Sequence, residues 1–289
     1  QAVYKGNLVN YMYLFKKISA IVSLLLIIFC LSFAFVGCDK PEDELPPDTR
    51  PTINIGSDEY TPYFYIDESG NYAGIDVEIA TEAFSRMGYR VNFEQIVWSD
   101  KESILSSKKI DCLWGSFSMD GREDRYNWAG PYLTSRQVVA VSKNSNIKKL
   151  SDLADKNVAC QSTSKPDELF SRNDDPRIPP IKYLYCFPNF DQVFAALRKS
   201  YVDAIAGHET AMIAYMNSTS GEYVILEETL AEVHLGVAFS LNNNTEIPSR
   251  LTATLAEMAS DGTTAKIIAK YNLSADRVCN PYEYGGDAR

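Results

Sequence analysis

Histidine is nearly absent from this 289-residue chain, with only His208 and His234 present. Few are therefore available to activate a nucleophile or hold a catalytic metal. No nucleophile elbow, H-E-x-x-H pair or phosphate-binding glycine loop occurs either. Six cysteines are present but none forms a C-x-x-C pair, which argues against a zinc or dithiol redox site. The expectation is a protein without catalytic residues, cofactor or metal. Positive charge is also short, with 28 Lys and Arg against 38 Asp and Glu. Residues 1–37 carry three lysines and no acid, so the net charge of −10 becomes −13 from Cys38 onward. That balance argues against nucleic acid as a partner and against electrostatic adhesion to anionic lipid. No internal repeat is visible.

The amino-terminal part does not read as fold. Met12, Lys16 and Lys17 precede an uncharged run, Ile18–Gly37, and then Cys38. A basic n-region, an apolar h-region and a small residue before a cysteine describe a signal peptide over residues 1–37. Phe35-Val36-Gly37-Cys38 is similar to a bacterial lipobox, with Phe35 where leucine is usual. Cys38 would then carry lipid and anchor an extracytoplasmic protein to the cell membrane. An uncleaved transmembrane anchor is the alternative, since twenty uncharged residues are about enough to span a bilayer. Residues 38–52 are acidic and proline-rich, a composition that cannot build a core and serves as a linker.

Beyond residue 52, strands and helices alternate, which predicts α/β architecture with largely parallel sheets. Strands are expected at Thr52–Gly56, Arg90–Val97, Asp111–Trp114, Asn157–Gln161, Lys182–Cys186 and Val202–Ala206. Helices are expected at Asp76–Met87, stopped by Gly88 at its C′ position, and at Lys101–Ser107, Asp191–Lys199, Ser249–Ala259 and Thr264–Tyr271. Ser151 is expected to cap a short helix, and Ser164-Lys-Pro-Asp to form a capping box. Gln137–Ser142 and Val233–Leu241 are long enough to cross between two lobes. Cys112 and Cys160 lie in apolar runs and read as buried thiols. A Cys186–Cys279 disulfide stays open, because spacing alone does not decide it.

The segment Ile110–Tyr132, IDCLWGSFSMDGREDRYNWAGPY, is the most informative. A short buried strand ends in small residues and then presents Arg122. A guanidinium there can clamp a carboxylate through two parallel N–H donors; the plainer reading pairs it with Asp120, Glu123 or Asp124. Ser164 heads a helix whose unpaired amides attract anions.

In order and spacing, this segment, Gly74-Ile-Asp-Val-Glu-Ile-Ala, Val158-Ala-Cys-Gln-Ser-Thr-Ser and Asp261-Gly-Thr-Thr-Ala-Lys-Ile-Ile-Ala-Lys-Tyr resemble the family 3 extracellular solute-binding proteins. These are the amino-acid-type receptors of ABC importers, and the resemblance runs from about Pro51 to Leu273. It implies a two-lobed, periplasmic-binding-protein-like clamshell with two crossover strands. Lobe 1 would comprise 53–138 and 240–275, lobe 2 139–239, and 276–289 a tail. It also implies a monomer that binds a small carboxylate-bearing solute, foremost an amino acid, and hands it to a membrane permease. A ligand-sensing input domain is the alternative, and a dehydratase on the same fold a more distant one.

On the same resemblance, Tyr60 and Trp98 stand at aromatic ligand-contact positions, unless they simply pack in the core. Asp58 either attracts a cation or caps its turn. Gly115 matches a small residue giving main-chain contacts, and Arg122 matches the carboxylate-binding arginine. Phe117 departs from the usual serine or threonine, with Ser116 and Ser118 flanking it. The aspartate that many members place against the ligand ammonium is replaced here by His208, with Glu209 next. Either could serve the ammonium, which is costly to bury without an acceptor.

Overall fold

A computed structural model of the chain describes residues 48–284 apart from 244, together with Lys17. The expected signal peptide, the lipid-bearing Cys38 and most of the acidic linker lie outside the described residues. Among the described residues, no helix is long and apolar enough to cross a membrane.

The first strand, β1 (Thr52–Ser57), pairs in parallel with β4 (Arg90–Gln95) and β5 (Cys112–Leu113). Between them, β2 (Tyr65–Ile66) and β3 (Tyr72–Ala73) form a small hairpin. Helix α1 (Ile75–Arg86) buries Val77, Ile79, Ala80, Ala83 and Phe84, the face its spacing predicts. It stops where Gly88 takes φ 83°, a left-handed conformation that favours glycine. Helix α2 (Lys101–Ser106) follows β4, and α6 (Ile247–Ser260) and α7 (Thr263–Ala269) pack against α1. These elements make the first lobe.

The second lobe is built on β7 (Asn157–Gln161), which lies parallel to β8 (Tyr183–Phe187) and to β9 (Ala204–His208). Helices α3 (Lys165–Arg172), α4 (Phe190–Arg198) and α5 (Glu209–Ser218) accompany them. Two long strands join the lobes. The strand β6 (Asn127–Ser142) runs antiparallel to β11 (Ala231–Phe239), which reaches β5 at one end, while β6 reaches β9 at the other. The short β10 (Tyr223–Ile225) pairs with the end of β6. The order β4-β1-β5-β11-β6-β9-β7-β8 is thus one ladder threaded through both lobes. This is a two-lobed clamshell with two crossing strands.

Two local expectations need correction, one helix was not foreseen, and one open pairing is decided. The first crossing strand begins ten residues before Gln137, because Gly130 at φ 108° and a register break between Leu235 and Val237 let β6 pass through Gly130-Pro131. Ser151 does not cap a helix. Residues Leu150–Leu153 form a 3-10 turn, with the Asp152 carboxylate accepting from the backbone N–H of Lys148 and Lys149. Helix α5 went unanticipated because it starts directly after β9, with no side-chain cap at His208. Finally, Cys186 and Cys279 are not joined. All four described cysteines are free, and Cys186 stands opposite Cys160 across β7 and β8. Cys112 and Cys160 are buried, as expected.

Candidate functional site

Parallel strands in both lobes direct their carboxyl ends at the same gap. In open α/β sheets, such ends leave the loops that hold ligands. From the first lobe come Asp58 and Tyr60 after β1, Trp98 after β4, and Gly115, Ser116, Phe117, Ser118 and Arg122 after β5. The second lobe adds Gln161 at the end of β7, Ser164 at the head of α3, Phe190 opening α4 and His208 ending β9. Gln137 of β6 closes the floor. Every residue singled out in the sequence lines this space except Glu209. Its carboxylate turns away to Arg136 and to Arg277, whose Nη2 donates at 2.9 Å. Those arginines oppose the cost of burial and hold it below the usual carboxylate range. Glu209 therefore ties α5 to the crossing strand and the tail.

The lobes are closed. Gln161 Nε2 donates to Asp58 Oδ2 at 2.5 Å, and Lys101 Nζ to Thr163 Oγ1 at 2.7 Å. Lys165 Nζ donates to the Asp120 carbonyl at 2.9 Å, and the His208 backbone N–H to the Tyr60 hydroxyl at 3.2 Å. The space left between these residues is about 30 Å³, room for water but not for a solute. A second chamber of about 290 Å³ adjoins it across Phe117, Arg122 and Ser164. A solute therefore enters only when these contacts part.

Arg122 is 5% exposed. Its Nη1 donates to the Ser118 carbonyl at 3.2 Å, and the guanidinium lies 5.2 Å from the Phe117 ring centre. Burial pulls its pKa down while Glu168 opposes, yet an arginine stays charged. Neither Asp120, Glu123 nor Asp124 holds it. Its partner is Glu168 of α3, with Nε 3.1 Å from Oε2. That carboxylate also receives Lys165 Nζ at 3.2 Å. Burial resists its charge, but Arg122 and Lys165 keep its pKa below the ordinary value. The sequence reading missed Glu168, Lys101, Gln137 and Gln161. For Gln161 a signal existed, a polar residue closing the buried run Val158–Cys160.

Around the arginine the walls are aromatic. Trp98 and Phe117 meet edge to face at 5.0 Å, and Tyr60 and Phe190 lie tilted at 4.9 Å. Within this apolar frame, Asp58 is the sole carboxylate lining the cavity among the described residues. Burial pushes its pKa up to about 7, against the Gln161 hydrogen bond. His208 is pushed down to about 3 by burial and is neutral. Its Nδ1 is 3.0 Å from Ser135 Oγ and 3.1 Å from Gln137 Nε2. Gln137 Oε1 is a buried acceptor with no donor among the described residues, a place for a ligand N–H.

Outside the cavity Asp76 has a similar environment. It accepts from Ser116 N–H at 2.6 Å and Tyr132 O–H at 2.7 Å, fixing the β5 loop, and burial raises its pKa to about 7. An acid whose folded pKa exceeds its unfolded value binds its proton more tightly in the fold. Stability is then greatest below the unfolded pKa and falls as pH rises towards the folded one, here between about 4 and 7. The ligand-free protein is therefore expected to melt at least about 5 °C higher near pH 5.5 than near pH 8. Asp58→Asn should shrink that difference. Calorimetric scans at the two pH values check it, and a higher melting point at pH 8 would contradict it.

Comparison with known proteins gives the same picture. The chain is 26% identical over 222 residues to the L-cystine-binding protein TcyA of Bacillus subtilis, covering 76% of this chain and 80% of that one. It is 23% identical to the arginine-binding extracellular protein ArtP of the same organism, over 86% of this chain and 96% of the relative. In structure it is similar to an ancestral arginine-binding protein bound to arginine, with 28% identity and a TM-score of 0.69. That match covers 77% of this chain and 98% of the other. These relatives are binding proteins, not enzymes. Residues 53–274, both lobes and the cleft between them, match the bacterial extracellular solute-binding proteins, family 3, and the chain belongs to that family.

Proposed function

We propose that this protein captures an amino acid in the cleft and delivers it to an ABC importer, acting as a monomer held to the membrane by a lipid on Cys38. The observation that carries the reading is Arg122, a buried guanidinium between two lobes, set among aromatic rings. The ligand carboxylate takes the guanidinium and the amide end of α3 at Ser164. Its ammonium takes Asp58 and the free Gln137 Oε1. His208, neutral and bonded to Ser135 and Gln137, orients that amide and supplies no charge. The lobe limits 53–138 with 240–275, and 139–239, belong to the same reading. Cystine, arginine, histidine and glutamate, which relatives are named for binding, form the first panel to test by thermal shift. A bound ligand raises the melting point with its excess over Kd. No shift across amino acids at millimolar concentration would overturn the proposal.

Glu168 has a distinct part in this scheme. It occupies Arg122 from the second lobe, as a ligand carboxylate would, and so stabilises closure without solute. A ligand must compete with it. Glu168→Gln is expected to tighten carboxylate binding about tenfold, roughly the worth of 1.4 kcal/mol. The unliganded protein should also open, seen as a larger radius of gyration in solution scattering. Unchanged affinity and unchanged radius together would remove Glu168 from this role.

A further inference from the structure

Where β7, β8 and α3 meet, three donor atoms converge that do not line the cavity of the solute site. Cys160 of β7 and Cys186 of β8 are direct register partners, with Sγ atoms 3.9 Å apart. Cys186 Sγ lies 3.4 Å from Asp167 Oδ1 on α3. The three ligand atoms lie within 4.8 Å of one another. We propose that Cys160, Cys186 and Asp167 form a site for a thiophilic divalent cation such as Zn²⁺.

The geometry suits a tetrahedral ion. Metal–sulfur bonds of about 2.3 Å at a tetrahedral angle place two sulfurs about 3.8 Å apart, and a sulfur and a carboxylate oxygen about 3.5 Å apart. Both separations are present before any ion binds. Two thiolates select soft or borderline cations over Ca²⁺ and Mg²⁺. Cys160 is buried and Cys186 exposed, so the pair is reached from solvent through Cys186, which leaves room for water as fourth ligand. Asp167 can take part without releasing the loop. Its Oδ2 accepts from Thr163 N–H at 2.7 Å, while among the described residues Oδ1 receives only Ser171 Oγ, at 3.2 Å, and the Cys186 thiol. No C-x-x-C pair is needed here, because parallel pairing of β7 and β8 brings together cysteines far apart in the chain.

Binding is a proton-for-metal exchange. Each thiol gives its proton to solvent as a metal–sulfur bond forms, and no atom changes oxidation state. The ion would also brace Asp167 and, through Thr163, the contact with Lys101 that spans the lobes.

Cadmium titration of the full chain, reduced with a phosphine and desalted, tests this. One equivalent should saturate a thiolate-to-cadmium charge-transfer band in the ultraviolet. Cys186→Ser should remove the band and weaken Cd²⁺ and Zn²⁺ binding more than about 100-fold, and Asp167→Asn should weaken it about 10- to 100-fold. Cys279→Ser should change neither. As Cys186 is exposed, its serine variant is expected to fold, which circular dichroism checks. Absence of the band in the unsubstituted protein would overturn the site. So would a band of full strength in Cys186→Ser, or a Cys160–Cys186 disulfide forming in saturating cadmium.

Discussion

Arg122→Ala is expected to weaken an amino-acid ligand by 10²- to 10³-fold or more while the protein stays folded. The loss of one partner from a buried, hydrogen-bonded charge pair costs about 2–5 kcal/mol, and each 1.4 kcal/mol is about tenfold in affinity. In the ligand-bound cleft that partner would be the solute carboxylate, with Trp98, Phe117 and Tyr126 excluding water around it. The fold should survive because Glu168 keeps Lys165 and Arg172 as counter-charges. Arg122→Lys should recover only part of the affinity, since an ammonium cannot offer the parallel pair of N–H donors. Calorimetric titration with the strongest ligand from the amino-acid panel checks both variants. Undiminished affinity in Arg122→Ala would remove the carboxylate clamp from the scheme.

The second large effect concerns Asp58. Asp58→Asn should cost an amino acid about 100-fold or more in affinity, because an ammonium would be buried without an anion. The deaminated analogue, which never used that carboxylate, should lose little. Wild-type binding should also depend on pH. With Asp58 near 7 in the ligand-free protein, affinity for the ammonium form should fall by up to about tenfold per pH unit below 7, one unit being worth about 1.36 kcal/mol. Asp58→Asn should flatten that slope. Equal losses for the amino acid and its deaminated analogue would show that Asp58 does not meet the ammonium.

Much of this was readable from residues. The face of α1, its stop at Gly88, the strands β1, β4 and β7, and the presentation of Arg122 after β5 all follow from local periodicity and turn chemistry. The resemblance to a known family supplied the clamshell and located Asp58, Tyr60 and Trp98. What escaped depended on distant partners. The start of β6 depends on the break in the β11 register between Leu235 and Val237 as well as on its own Gly130. Glu168 and Lys101 read as helix-surface charges until the second lobe closes over the first. Glu209 looked eligible for the ammonium because it follows His208, yet a helix begins there and turns its side chain to Arg136 and Arg277. Cys160 and Cys186 meet only because β7 and β8 are parallel neighbours, a pairing that spacing along the chain does not encode.

In the proposed scheme the cleft recognises a carboxylate and an ammonium together. This is tested most directly by calorimetry on the unsubstituted protein with three matched compounds: the best-binding amino acid, its deaminated acid and its decarboxylated amine. Saturable one-to-one binding of the amino acid is expected, with a weaker response to the acid and none to the amine. An amine bound as tightly as the amino acid would contradict it, because Arg122 would then have no part in recognition.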